Sequence, residues 1–484
     1  MRSDPGRPPL TLASKVLYGL GSTATGILTR SLNAFLLLYY SQVMGMTAAA
    51  VATVIMLVTI FDAAVDPIVG HASDNLRSRW GRRHPFMYAA ALPTALAFMM
   101  LWSPPSGMTE GGLAIYLLVC LLVIRFSDTL FELPSVSLAP ELTQNYAERS
   151  VLIAARKGFE MAGGYLFILA GYEVFMRQRP DGSGGLTSPE GYGAFGLAGA
   201  AVVLVAILVS TRGTQKFAPF LASPPVRKLS LGAFLGEARQ TLRHRPFLIM
   251  AAAGMLYSTA VGITQSLSIY FNLFFWELSQ AQVALMATVQ IPASFLAVVV
   301  APVAVHRFGK KAAAIVSTVL GLLLTVVPVS LRLLGVLPGN DHPVIYPFLL
   351  SEAIVSQVLL LVGVVIMPSM LADVVEDIQV RTGRRAEGLI FAAESFARKA
   401  ISGFGVFIAG IFLTVVNFPR QARPGTVGAE YLTDLGVMWV SGTLFFLATS
   451  MICVAIFPID KRRHEDNLRR IAEMEDPPAS AASR

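Results

Sequence analysis

An all-α integral membrane protein with twelve transmembrane helices in two six-helix halves is the fold class this sequence predicts. Three observations predict it: composition, the number of apolar windows, and motifs that recur in both halves. Of 484 residues, 54% are apolar and only 14% charged, whereas soluble domains carry roughly 25% charged residues. Apolar windows of about 20 residues, the length a helix needs to cross a bilayer, occur throughout the chain. The two cysteines, Cys120 and Cys453, lie within such windows and read as packing residues.

In chain order, residues 1–15 form a polar, proline-rich tail, so the first span is expected to be retained rather than cleaved as a leader. Residues 16–211 hold six spans at about 16–42, 47–71, 85–104, 112–139, 150–176 and 192–211. A linker at 212–246 contains Arg227, Lys228, Arg239, Arg243 and Arg245. Its Leu231, Phe234, Leu235, Ala238 and Leu242 are at helical spacing, which predicts a basic amphipathic helix on the inner leaflet. Residues 247–458 hold spans at about 247–274, 280–304, 312–335, 343–371, 388–415 and 434–457, and 459–484 form a second tail. With this partition, 27 of the 38 lysines and arginines fall in tails and loops of one side. The positive-inside rule therefore places both termini in the cytoplasm.

The halves repeat each other. Arg79-Trp80-Gly81-Arg82-Arg83 after the second span is echoed by Arg307-Phe308-Gly309-Lys310-Lys311 after the eighth. Asp66-Pro67 is echoed by Ala301-Pro302, and Pro134-Ser135 by Pro368-Ser369. Parallel six-span repeats of this kind indicate a major facilitator fold with pseudo-two-fold symmetry and a substrate site between halves near the midplane.

Ionisable residues inside spans are costly and mark function. Asp62 and Asp66 sit four apart in an apolar run, so both carboxylates leave one helix face. Their repulsion calls for a cation or a shared proton. Arg125, Asp128 and Glu132 form one stripe on the fourth span. Arg30, Arg156, Lys157, Glu160, Glu394, Arg398 and Lys399 complete the set. Spacing alone also suits local ion pairs for Arg125 with Asp128, Arg156 with Glu160 and Glu394 with Arg398. Enzyme chemistry has little support. The histidines lack metal-ligand spacing, and Asp181-Gly182-Ser183-Gly184-Gly185 lacks the Lys-Ser/Thr of a phosphate loop. No nucleic-acid partner, metal centre or organic cofactor is expected.

The run Asp62-Ala63-Ala64-Val65-Asp66-Pro67, with Gly70, Ser73-Asp74 and Arg79-Trp80-Gly81-Arg82-Arg83-His84-Pro85, resembles the glycoside–pentoside–hexuronide:cation symporters. Glu132-Leu133-Pro134, Leu138-Ala139-Pro140-Glu141-Leu142, Glu148-Arg149 and Arg156 extend the resemblance. So do Leu371-Ala372-Asp373-Val374-Val375, Thr382-Gly383-Arg384-Arg385, Glu387-Gly388 and Lys399. The resemblance implies a coupling-cation site at Asp62, Asp66 and Thr129, with Lys399 reaching toward it. A metal would sit at Asp62 and Asp66 only if Na⁺ is the coupling ion. It further implies substrate contacts at Glu132 and Arg156, and a cytoplasmic gate that includes Asp74, Arg82, Arg83, Arg149, Asp373 and Arg384.

Departures fall at the sugar end. Thr25-Gly26 stands where the family pattern has lysine and aspartate, Arg30 comes one turn later, and Val136 replaces a stacking tryptophan. Gly26, Arg30 and Asp128 are therefore counted as substrate-site candidates, with an acidic group expected on the cargo. Val65 replaces an asparagine and removes an oxygen donor, which favours H⁺ over Na⁺ as the coupling ion. The expectation is cation-coupled symport of a sugar or glycoside, such as a hexuronide, by a monomer in a bacterial inner membrane. A carrier or exporter of anionic, lysophospholipid-like amphiphiles stays open as an alternative, and a non-transporting receptor as a more remote one.

Overall fold

The computed structural model describes residues 8–143, 145–179, 184–220, 245–382 and 403–456. Most of the predicted amphipathic linker helix, Arg384, Glu394, Arg398 and Lys399 lie outside these residues. The chain is helical: α1 (Leu12–Leu20), α2 (Ser22–Leu38), α3 (Ala48–Asn75), α4 (His84–Leu101), α5 (Glu110–Leu142), α6 (Tyr146–Ala170) and α7 (Tyr192–Gln215) come first. The second half follows with α8 (Arg245–Tyr270), α9 (Gln280–Thr288), α10 (Gln290–Phe308), α11 (Lys310–Leu333), α12 (Ile345–Thr382), α13 (Gly403–Val415) and α14 (Ala429–Ala455). Among the described residues, nine helical runs are long and apolar enough to cross a membrane. The paired α1–α2 and the more polar α6 fill predicted span positions, as does α13, described only in part, consistent with twelve spans.

Local sequence explains where these helices start. The Thr11 hydroxyl caps α1, the Thr109 hydroxyl caps α5, and the Asn145 side chain accepts from two backbone N–H groups of α6. Among the described residues, three helices finish in a five-residue π-turn: α2 at Tyr39–Val43, α6 at Gly171–Phe175 and α8 at Phe271–Phe275. Each is closed by the wider i→i+5 bond, with Met44, Met176 and Trp276 donating to Tyr39, Gly171 and Phe271 at 2.8–2.9 Å. Such π-turns are rare and concentrate at functional positions.

The chain forms two compact units. One contains residues 1–229, 265–288 and 406–432; the other contains 230–264, 289–405 and 433–484. Short second-half segments thus join the first half at the end where the π-turns lie, here called the distal end. There the Ser41 and Tyr270 hydroxyls touch, and the Ala422 N–H donates to Gln42 at 3.0 Å. The Arg420 guanidinium pairs with Glu110 at 3.3 Å, while the Gln280 amide donates to the Tyr172 and Met176 carbonyls.

The second unit contains an apolar core of Met250, Ala293, Ala297, Ala301, Ala313, Val358, Val362 and Ile366. The repeat gives this core a particular meaning. Ala301 matches Asp66, and Ala297, one turn earlier, matches Asp62. With Pro134 aligned on Pro368, Val362 matches Asp128 and Ile366 matches Glu132. Positions that bear acids in the first half therefore carry packed alkyl side chains in the second.

Candidate functional site

Two threonine bridges organise the polar interior of the first half. On α3, Asp62 and Asp66 are half-buried in an otherwise apolar helix. The buried Thr129 hydroxyl on α5 lies 3.2 Å from an oxygen of each carboxylate. A hydroxyl has one proton to donate, so at any moment it donates to one of the two carboxylates and links the pair to α5. Pro67 contributes as well. It has no N–H for the Ala63 carbonyl one turn back, which releases that oxygen beside Asp62. Val65 is buried, in keeping with its lack of a polar role.

The second bridge is Thr25 on α2. Its hydroxyl lies 3.2 Å from Asp128 Oδ1 and 3.2 Å from Glu132 Oε2. Arg156 on α6 donates to Glu132 at 2.7 Å and also to the Ser135 hydroxyl, and its guanidinium faces the Tyr18 ring at 5.5 Å. The Tyr18 hydroxyl donates to the Ser135 carbonyl at 2.9 Å. Four helices thus fix one network, with Glu132 half-buried and able to accept further hydrogen bonds.

Helical spacing offered Glu160 as the partner of Arg156. The structure instead pairs Arg156 with Glu132, and Lys157 with Glu160 at 2.7 Å. Thr25 is a site residue that sequence reasoning treated only as a departure from the family pattern. Nothing along the chain announces its role, which depends on α2 meeting α5.

Gly26 lies at a helix seam. A Cβ at this position would collide with the backbone carbonyl of Glu160, and Gly164 across the seam packs against the Gly26 carbonyl. This places Gly26 at the packing seam between α2 and α6. Arg30 lies 4.3 Å from the Tyr165 ring centroid, in cation–π contact. Val136 is exposed.

At the other end of α5, Arg83 pairs with Asp74 at 3.1 Å and with Glu141 at 2.6 Å, while Arg82 also grips Glu141. Glu141 is thus the acid that ties the two arginines together. Arg149 is exposed on the first turn of α6. Its neighbour Glu148 makes the contacts there, to Lys15 at 3.3 Å and Thr143 at 2.9 Å. Asp373 falls on α12, with its side chain outside the described set. Removing one partner from a largely buried charge cluster typically costs about 3–5 kcal/mol. Glu141→Gln is expected to lower the unfolding temperature of the purified protein by several degrees more than Glu148→Gln, as read by differential scanning fluorimetry.

Known proteins resemble this chain over nearly its whole length. The family profile described as MFS/sugar transport protein matches residues 17–461. The isoprimeverose transporter of Lactiplantibacillus pentosus is 24% identical, over 92% of this chain and 88% of that protein. A glucuronide carrier protein homolog of Escherichia coli is 24% identical over 93% of each chain. The crystal structure of the nucleoside transporter NupG covers 92% of this chain and all of its own, with a TM-score of 0.62 and 14% identity, which supports the fold alone. Twelve predicted spans, a repeated half and an intramembrane carboxylate site join with that match to one conclusion: this chain belongs to the MFS/sugar transport family, a multi-pass membrane transporter rather than an enzyme.

Proposed function

We propose that this protein is a symporter that brings a glycoside into the cell together with one cation by alternating access. The observation that carries the reading is the Asp62–Thr129–Asp66 arrangement, set on the same helix as the Asp128–Glu132 network. Thr129 and Asp128 are adjacent, so movement of α5 on loading one site is felt at the other. Cation or proton loading relieves the repulsion between Asp62 and Asp66 and draws α3 toward α5. That favours the α5 position at which Glu132 and Arg156 present acceptors and donors to sugar hydroxyls. The linkage is reciprocal: cargo raises cation affinity by the same factor.

Similarity to an isoprimeverose transporter and to a glucuronide carrier homolog supports a glycoside as cargo. A proton is the favoured coupling ion, since Val65 contributes no oxygen to the pair. Both termini face the cytoplasm, the distal end faces outward, the protein works as a monomer, and Asp74, Arg82, Arg83 and Glu141 belong to the inner gate. Lys399 retains the role in cation coupling that the resemblance implies.

Purified protein in liposomes, given a glycoside panel and either an inward H⁺ or an inward Na⁺ gradient, tests this reading. Expected is accumulation above equilibrium with one gradient, and counterflow of labelled cargo with none. Saturable ligand binding with neither counterflow nor accumulation would instead mark a receptor.

A further inference from the structure

Three guanidiniums lie within the membrane-spanning part of the first half, and two have stated partners. Arg156 is taken by Glu132 and Ser135, and Arg30 stacks on Tyr165. Arg125 is different. It is half-buried near the middle of α5, yet among the described residues no hydrogen bond, ion pair within 4 Å or aromatic ring engages it. Asp128, one turn along the same face, feels its field but stands beyond ion-pair reach. The Asp128 carboxylate is held instead by the Thr25 hydroxyl.

A guanidinium carries five N–H donors and keeps its charge in proteins. Ionisable groups within a membrane face a protein interior or a wet cavity and find partners there. We propose that Arg125, unengaged among the described residues, is the anion receptor for the cargo. On the glycoside-symport reading, Arg125 selects glycosides bearing an acidic oxygen group, either a carboxylate or a phosphate ester, held by two parallel N–H···O bonds. An acidic cargo on the sequence evidence pointed to Arg30. The proposal places that contact at Arg125, while the Arg30 guanidinium faces the Tyr165 ring.

The charge balance gives this assignment a link to coupling. Among the described residues of the site, Asp62, Asp66, Asp128 and Glu132 oppose Arg30, Arg125 and Arg156, so these seven carry one excess negative charge when all are ionised. A monovalent cation on the aspartate pair removes that excess. An anion then approaches Arg125 without net repulsion, and its affinity depends on cation loading more steeply than that of a neutral glycoside.

The test uses the full-length protein in detergent and three probes: methyl β-glucuronide, methyl β-glucoside 6-phosphate and methyl β-glucoside. Binding is titrated by thermal shift at two pH values, with and without Na⁺. The wild type is expected to bind one of the acids at least tenfold more tightly than the neutral glycoside. The two acidic arms tell a carboxylate cargo from a phosphate one. Arg125→Gln should abolish the preference for the acid over the neutral glycoside, and Arg125→Lys should retain part of it. Both ligand-free variants are checked against the wild-type unfolding temperature, and Arg125→Lys carries the test if Arg125→Gln is unfolded.

Equal binding of acid and neutral probes by the wild type overturns the assignment, as does an undiminished preference in Arg125→Gln. Absence of a shift with either acid overturns it too. A Na⁺- or pH-dependent shift of the ligand-free protein in that last case leaves the cation-coupled reading of Asp62 and Asp66 standing.

Discussion

Asp66→Asn is expected to end uphill accumulation while leaving part of the passive exchange of labelled cargo. The amide keeps the size of the side chain and an oxygen for the Thr129 hydroxyl, now 3.2 Å from Asp66 Oδ1. It removes one of two negative charges and the ability to take up a proton. If the ion is a proton, the carrier loses half of its shared site; if it is Na⁺, two formal charges become one. A loss of at least about 1.4 kcal/mol in cation binding, a tenfold weakening, is the smallest effect consistent with this geometry. Exchange requires only that cargo bind and the halves reorient, so it persists in part. Proteoliposomes separate the two readouts, with gradient-driven uptake in one arm and counterflow in the other. Full gradient-driven accumulation by Asp66→Asn would falsify the assignment. Thr129→Val gives a milder version, raising the cation concentration required without abolishing coupling.

The second large effect is expected at Gly26, where even alanine should damage both stability and transport. A flexible neighbour could rotate away from a new methyl group, but here the obstacle is the main-chain carbonyl of Glu160. Helices α2 and α6 must separate to admit it. Overpacking in a tight interior usually costs about 1–3 kcal/mol and occasionally more, and the upper part of that range fits a backbone obstacle. The displacement is also transmitted to chemistry, because Thr25 is the adjacent residue and holds Asp128 and Glu132 together. Gly26→Ala should therefore lower the unfolding temperature and weaken cargo binding, with Gly26→Leu more severe in both. Wild-type stability and uptake in Gly26→Ala would show that the helices do not approach so closely.

How much of this could be read along the chain follows from the kind of signal each feature leaves. Asp62 and Asp66 were legible because charge inside a long apolar run stands out, and their spacing of four fixes a shared helix face. Thr129 became legible only through the family resemblance, since one threonine in a helix is unremarkable by itself. Thr25 and Ser135 left no trace, because their roles arise where α2, α5 and α6 meet. Arg156 illustrates the limit of local rules. Glu160 was in helical range, but Glu132 on another helix provides the 2.7 Å partner. The π-turns at Tyr39, Gly171 and Phe271 were equally hidden, since their hydrogen-bond shift changes register over five residues without altering the apolar pattern.

The apolar core around Ala297, Ala301, Val362 and Ile366 has an electrical consequence. A membrane potential does work only on charge, about 2.3 kcal/mol per elementary charge moved through 100 mV. At these four positions the second half has nothing for voltage to act on, whereas the equivalent first-half positions have four acids. Voltage therefore reaches this set through the first half alone, and through its loading state. A neutral cargo travelling with one cation carries net charge inward, so voltage drives its uptake. An anionic cargo with one cation carries none, and the same protein would then move it electroneutrally, leaving the chemical gradients of cation and cargo to set the limit of accumulation.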